Sequence, residues 1–166
     1  MRLLRYKDQA EKFIEKFRAV KDVKFFIVDS CEEIIRNSQV LFSCVTNMDD
    51  LFCAHEKYPS GITIVPVHSK GFQNCDLVFD KIFSDDTSQI TSFKYWPQFS
   101  ELNYRGELTD VLTGKVAGRT GDDERILSYN VGIAIHDIRF AFEVYKLVGV
   151  GCQDAQLNSP VEKFFY

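Results

Sequence analysis

The feature that most constrains the fold is a series of short runs in which apolar residues dominate: "VKFFIV" (23–28), "VLFSCV" (40–45) and "ITIVPV" (62–67). A strand with one wet face alternates polar and apolar residues. A continuous run suits a strand buried on both faces, the situation in a parallel sheet with helices on either side. The segments around these runs agree. Residues 2–6 read as a short apolar strand, and Lys7 to Val20 as a helix with Ala10, Phe13, Ile14 and Phe17 along one face. Asp29 and Ser30 offer an N-cap to a brief helix over Cys31 to Arg36, with Glu32 and Glu33 in its first turn. Strand alternating with helix predicts an α/β domain with an open, mostly parallel sheet and right-handed crossovers.

Further along, Asp49 to Tyr58 reads as a short helix or turn, and "PSG" (59–61) breaks the chain before the third run. Leu77 to Phe83 is expected as a strand, Thr87 to Lys94 as a helix, and residues 95–106 as an irregular connection. Glu107 to Thr113 is expected as a helix closed by Gly114. Arg125 to Tyr129 reads as the last strand. A long helix follows from Gly132 to Val148, with Ile135, Ile138, Phe142, Tyr145 and Val148 at helical spacing. The boundaries implied are one domain over 1–150 and a polar, glycine-bearing tail over 151–166.

Composition narrows the function classes. A formal net charge of -4 argues against nucleic acid as a partner, and the lysines and arginines of the first 24 positions alternate with Asp8, Glu11 and Glu15 as on a solvated helix face. No apolar run reaches the length of a membrane span. Five cysteines without a C-x-x-C pair, and His55, His68 and His136 without ligand spacing, read as reduced thiols in a cytoplasmic protein with no metal site.

The stretches "GELTDVLTGKVAGRTGDDERI" (106–126) and "LSYNVGIAIHDIRFAFEVY" (127–145) resemble the C-terminal half of the ornithine cyclodeaminase/mu-crystallin family. The likeness runs in order through the chain, from "LLRYKDQAEKF" through "VLFSCVT" and "GITIVPVHSKGFQNCDL" to the final helix. It implies a Rossmann-like, NAD(P)-binding domain. In that family a strand and a G-x-G-x-x-G turn precede the segment similar to "LLRYKDQ", and before them lies a substrate-binding, dimer-forming half. The sequence has no such turn, so the resemblance implies an N-terminally truncated domain: a fragment, a split gene product or a remnant. A sheet lacking that strand would also expose two edges that should pair.

Residue by residue, the resemblance implies the following. Arg5, near the end of the second family strand, suits the 2′-phosphate of NADP(H) better than the 2′-OH of NAD, unless it is an ordinary surface arginine. Thr46, with Asn47 beside it, falls where the family touches the nicotinamide-side ribose or phosphate; a threonine capping the next turn is the alternative. Where cyclodeaminases carry a Gly-Gly-Asp-like run, this chain reads Pro66-Val67-His68, which puts cyclodeamination in doubt. His68 becomes the candidate proton carrier, or else a residue that only orders the loop or cofactor. Val67 lines the cofactor beside it. Asn130, Val131 and Gly132 match the turn bordering the nicotinamide amide, with Asn130 equally suited to cap the helix.

The expected activity of the complete protein is hydride transfer between NAD(P) and a small amino acid or cyclic imine, as a homodimer or with a complementing chain. The rival class is a non-catalytic binding module. A third reading is an unrelated α/β domain such as a small regulatory fold.

Overall fold

The computed structural model describes residues 2–3, 7–45, 52–68, 72 and 75–148. The chain divides into two units, 1–132 and 133–166. The first contains β1 (Arg2–Leu3), α1 (Lys7–Phe17), β2 (Phe26–Ile27), α2 (Cys31–Arg36), β3 (Val40–Ser43) and β4 (Thr63–Pro66). It continues with β5 (Lys81–Ser84), α3 (Thr87–Ile90), α4 (Trp96–Leu102), β6 (Tyr104–Glu107), α5 (Leu108–Leu112) and β7 (Ile126–Tyr129). In the second, α6 (Ala134–Val148) is the described element. No helix of the described residues is long and apolar enough to cross a membrane.

Every described strand pair is parallel. β1 pairs with β2, and the remaining strands form one sheet in the order β3-β4-β7-β5-β6. The last strand in sequence is central, and all four of its residues, Ile126 to Tyr129, are buried. Ile64, Ile82 and Leu127 meet in the middle of the sheet, with Ile35, Ile90 and Phe99 brought against it. The expected α/β class and parallel sheet are what the structure shows.

Several local expectations fail for physical reasons. "VKFFIV" forms a strand only at Phe26–Ile27, with Val23 and Phe26 exposed, because β2 pairs with β1 alone in the described sheets. β3 is an edge strand buried on one face only: Val40 and Phe42 are 55% and 66% exposed. Thr63 N donates to Gln39 O at 2.8 Å and Val67 N to Ser43 O at 2.9 Å. The odd-numbered residues therefore face β4, and Val40 and Phe42 direct their peptide groups to the other side, where no described strand pairs. The strand expected over Leu77 to Phe83 starts four residues late. Cys75 to Val78 is held in a turn by Cys75 N donating to Phe72 O at 2.7 Å, and Phe79 N donates back to Cys75 O at 3.1 Å. Residues 95–106 are ordered as α4 and β6. Pro97 lies in the first turn of α4, where its missing N–H breaks nothing.

The amino ends of the strands are clamped by one charged loop. Arg119 donates to Gly61 O at 3.0 Å and Thr63 Oγ1 at 2.8 Å, just before and at the start of β4. Lys81, opening β5, reaches Gly118 O and Thr120 Oγ1, both at 2.8 Å, and pairs with Glu124 at 2.8 Å.

Candidate functional site at the carboxyl edge of the sheet

In an open parallel sheet, strands deliver their following loops to one edge, and ligands bind there. Here that edge carries Ser43 at the end of β3, Val67 and His68 after β4, Asn130 to Gly132 after β7, and Asp85 after β5. The β3–β4 ladder runs one residue past the strand through Val67 N to Ser43 O, which sets His68 beside Ser43. Ser43 Oγ and His68 Nε2 are 3.3 Å apart, and burial lowers the His68 pKa, which favours the neutral imidazole. Val67 is exposed at 42% on the same rim.

Phe72, four residues after His68, is tied to β7. Phe72 N donates to Tyr129 Oη and to Asp76 Oδ1, and Tyr129 Oη donates to the same carboxyl. Asp76 is 1% exposed, and its desolvation pushes the carboxyl up to about 6 against the hydrogen bonds from Tyr129 and Phe72. Asn103 Nδ2 completes the anchor by donating to Asp76 O and Phe79 O. The rings of His68 and Phe72 lie 6.4 Å apart, and Phe52 stacks on Phe72 at 4.4 Å.

Across β4, Asn130 N donates to Pro66 O at 3.0 Å, so the Asn130–Gly132 turn and the Val67–His68 segment leave adjacent strand ends. Asn130 commits its side-chain N–H to Ser128 O and Oγ, at 2.9 and 3.1 Å. It does not cap the last helix, since α6 begins four residues later at Ala134. Gly132 has φ +104°, a conformation side chains resist, and no atom lies within 4 Å of where a Cβ would stand.

The structure thus brings together His68, Val67, Asn130, Val131 and Gly132. Arg5, Thr46 and Asn47 lie outside the described residues. Sequence reasoning missed Ser43, Asp76, Tyr129 and Asp85. Of these only Asp85 had a legible signal, an acidic pair one residue after the apolar Ile82-Phe83 in "KIFSDD".

The sequence pattern of the ornithine cyclodeaminase/mu-crystallin family matches residues 3–149. N-((2S)-2-amino-2-carboxyethyl)-L-glutamate dehydrogenase of Staphylococcus aureus is 27% identical over 154 residues, covering 85% of this chain and 44% of its own length. Among solved structures, Thermococcus litoralis Δ1-pyrroline-2-carboxylate reductase in complex with NADH and L-proline superposes with a TM-score of 0.73 at 20% identity, over 90% of this chain and 50% of that one. An archaeal alanine dehydrogenase dimer with bound NAD gives 0.70 at 19% identity, over 92% and 50%. The chain spans 41–44% of the length of the curated relatives it matches. With the match extending over nearly all of its residues, the chain belongs to the ornithine cyclodeaminase/mu-crystallin family.

Proposed function

We propose that residues 1–150 form the nicotinamide-dinucleotide-binding part of an NAD(P)-dependent family enzyme acting on a small amino acid or cyclic imine. The observation that carries this reading is the pairing of the His68 segment with the Asn130–Gly132 turn on adjacent parallel strands. The likeness to a reductase with NADH and to a dehydrogenase with NAD supports it. The residues fit the nicotinamide end of such a cofactor: Gly132 leaves open space for a flat ring, and the Asn130 carboxamide oxygen can accept from an amide. When bound, the cofactor carries the hydride exchanged with the substrate α-carbon. Val67 and Val131 exclude water at the ring, and Thr46 and Asn47 contact the adjacent ribose or phosphate. Arg5 pairs with a 2′-phosphate, which favours NADP(H).

His68 moves the proton at the substrate nitrogen. Its neutral imidazole accepts that proton during amine oxidation and returns it during imine reduction, with Ser43 fixing the ring. No G-x-G-x-x-G occurs in the 166 residues, so the pyrophosphate turn and the substrate cations would come from residues outside them. The edge of β3 that no described strand pairs, toward which Val40 and Phe42 direct their peptide groups, is suited to receive the strand leading into that turn. A cytoplasmic homodimer, or a pair of complementing chains, is the assembly this implies.

Co-expression with the upstream half of a family relative tests the reading. Nicotinamide-dependent turnover of an amino acid or cyclic imine should appear. In that assembly His68→Asn should lower turnover by about a hundredfold while dinucleotide affinity changes little. Unchanged turnover would reject His68 as the proton carrier. A chain that binds dinucleotide but turns over no amino acid or imine would favour the second reading, a non-catalytic binding module.

A further inference from the structure

Both peptide groups of Gly132 are held by side chains from a single five-residue segment. Gly132 N donates to Asp85 Oδ2 at 2.7 Å, and Gln89 Nε2 donates to Gly132 O at 2.7 Å. A Cβ built on Gly132 would meet no described residue beyond its chain neighbours, so no packed side chain fills that side of the turn. The two side-chain bonds engage its backbone from Asp85 and Gln89.

The bracket is itself rigid. Asp85 is 8% exposed; its backbone N donates to Tyr129 O at 2.9 Å, and its second carboxylate oxygen accepts from Asp86 N at 2.9 Å. Asp86 in turn caps α3, accepting from Ser88 N at 2.8 Å and Ser88 Oγ at 2.7 Å, which orients the helix turn that carries Gln89. A continuous hydrogen-bonded path therefore runs from the end of β7 through Asp85 to Gly132, and from Gly132 through Gln89 back to the base of α3.

We propose that Asp85 and Gln89 are positioning residues. They hold the Asn130–Gly132 turn in the shape that receives the nicotinamide end of a dinucleotide, without touching the dinucleotide themselves. The inference rests on the cofactor reading above and assigns its specificity for shape to two residues outside the turn. With the N–H and C=O of Gly132 both consumed from behind, its Cα side stays clear for a planar ring. A turn free to flip would present those polar groups, or Val131, in its place.

Gln89→Glu separates positioning from general stability. At pH 8 the carboxylate has no donor and is repelled by Gly132 O. Once protonated at pH 4, below a glutamate's ordinary value of about 4.3, it regains an O–H that can donate. NAD+ and NADP+ affinity, measured by calorimetry on the chain assembled with the co-expressed upstream half and compared with wild type at the same pH, should fall about tenfold at pH 8, the scale of one hydrogen bond, and recover toward wild type at pH 4. Gln89→Ala should lose the same affinity at both pH values. On the full chain alone, Asp85→Ala should speed amide exchange at Gly132 by about tenfold.

Unchanged Gly132 exchange in Asp85→Ala, or an affinity loss in Gln89→Glu that does not depend on pH, overturns the proposal. So does faster exchange with unaltered affinity. If the wild-type assembly binds neither dinucleotide, the cofactor reading fails and takes the role with it. Protected Gly132 exchange would then show that the bracket exists without that purpose.

Discussion

The two edges of the five-stranded sheet are built on opposite plans. At the amino edge, Arg119, Lys81 and Glu124 bind strand starts and loop backbone into one closed network, in which the cations have carbonyl, hydroxyl or carboxylate partners. At the carboxyl edge backbone groups are held by side chains, Phe72 N by Asp76 and Tyr129 and Gly132 by Asp85 and Gln89, and the Cβ side of Gly132 stays open. The same sheet spends charge on stability at one end and on shape at the other. Glycines make the contrast sharp. Gly61 (φ +76°) has Asp122 O inside contact distance of any Cβ, whereas Gly132 (φ +104°) has nothing near it.

That contrast is open to direct attack. Gly61→Ala should have the largest effect: left-handed strain and backbone overlap together cost about 3–4 kcal/mol, enough to lower the thermal midpoint by roughly 10 °C in calorimetry. A loss no greater than that of Gly132→Ala would remove the distinction between the edges.

The pH dependence of stability comes next, and the two edges should carry opposite signs. Asp76 titrates at about 6 in the folded protein, above its ordinary value of 3.8, so it favours folding below that ordinary value and loses the advantage as pH rises from 4 to 6. The swing is about 3 kcal/mol, and Asp76→Asn should flatten it in urea titrations across that range. Glu124 is held down to about 2 by Lys81 and Thr120 against an ordinary 4.5. Its contribution is present above 4.5 and disappears as pH falls toward 2, so Glu124→Gln should remove stability at pH 7 but not at pH 2. Profiles of the same sign would show that the edges are not electrostatically distinct.

The smallest stability effect belongs to Gly132→Ala, about 1–2 kcal/mol from backbone strain alone. Its mark should instead be a weakened dinucleotide affinity in the assembled protein, measured by calorimetry. Full affinity in this variant would mean that the open side of the turn receives nothing.

Much of this fold was legible because its core strands advertise themselves. "ITIVPV" predicted β4 to within a residue at each end, Ser30 caps α2 over the expected Cys31–Arg36, and Gly114 follows α5 at φ +75°. What periodicity could not see was pairing. "VLFSCV" looks buried on both faces, yet edge position leaves Phe42 in solvent, and nothing within the run encodes which neighbour a strand will have. The strand expected from Leu77 fails because Asp76 and Asn103 hold a turn there through contacts 27 and 53 residues away in sequence. The site divides the same way. His68, Asn130 and Gly132 stand out by residue type and order, whereas the groups that fix them, Ser43, Asp76, Asp85 and Tyr129, become visible only when strand ends meet.

The outward-facing peptides of Val40 and Phe42 carry a consequence for how robustness should be measured. A strand supplied as a separate chain that docks along β3 binds the folded chain and not the unfolded one, so it adds RT ln(1 + [strand]/Kd) to the folding free energy. The thermal midpoint then becomes a titration curve. It should climb with the concentration of the docking strand, by about 2.7 kcal/mol of stability at a hundredfold excess over Kd, and a melting temperature quoted without that concentration describes an assembly of unstated occupancy.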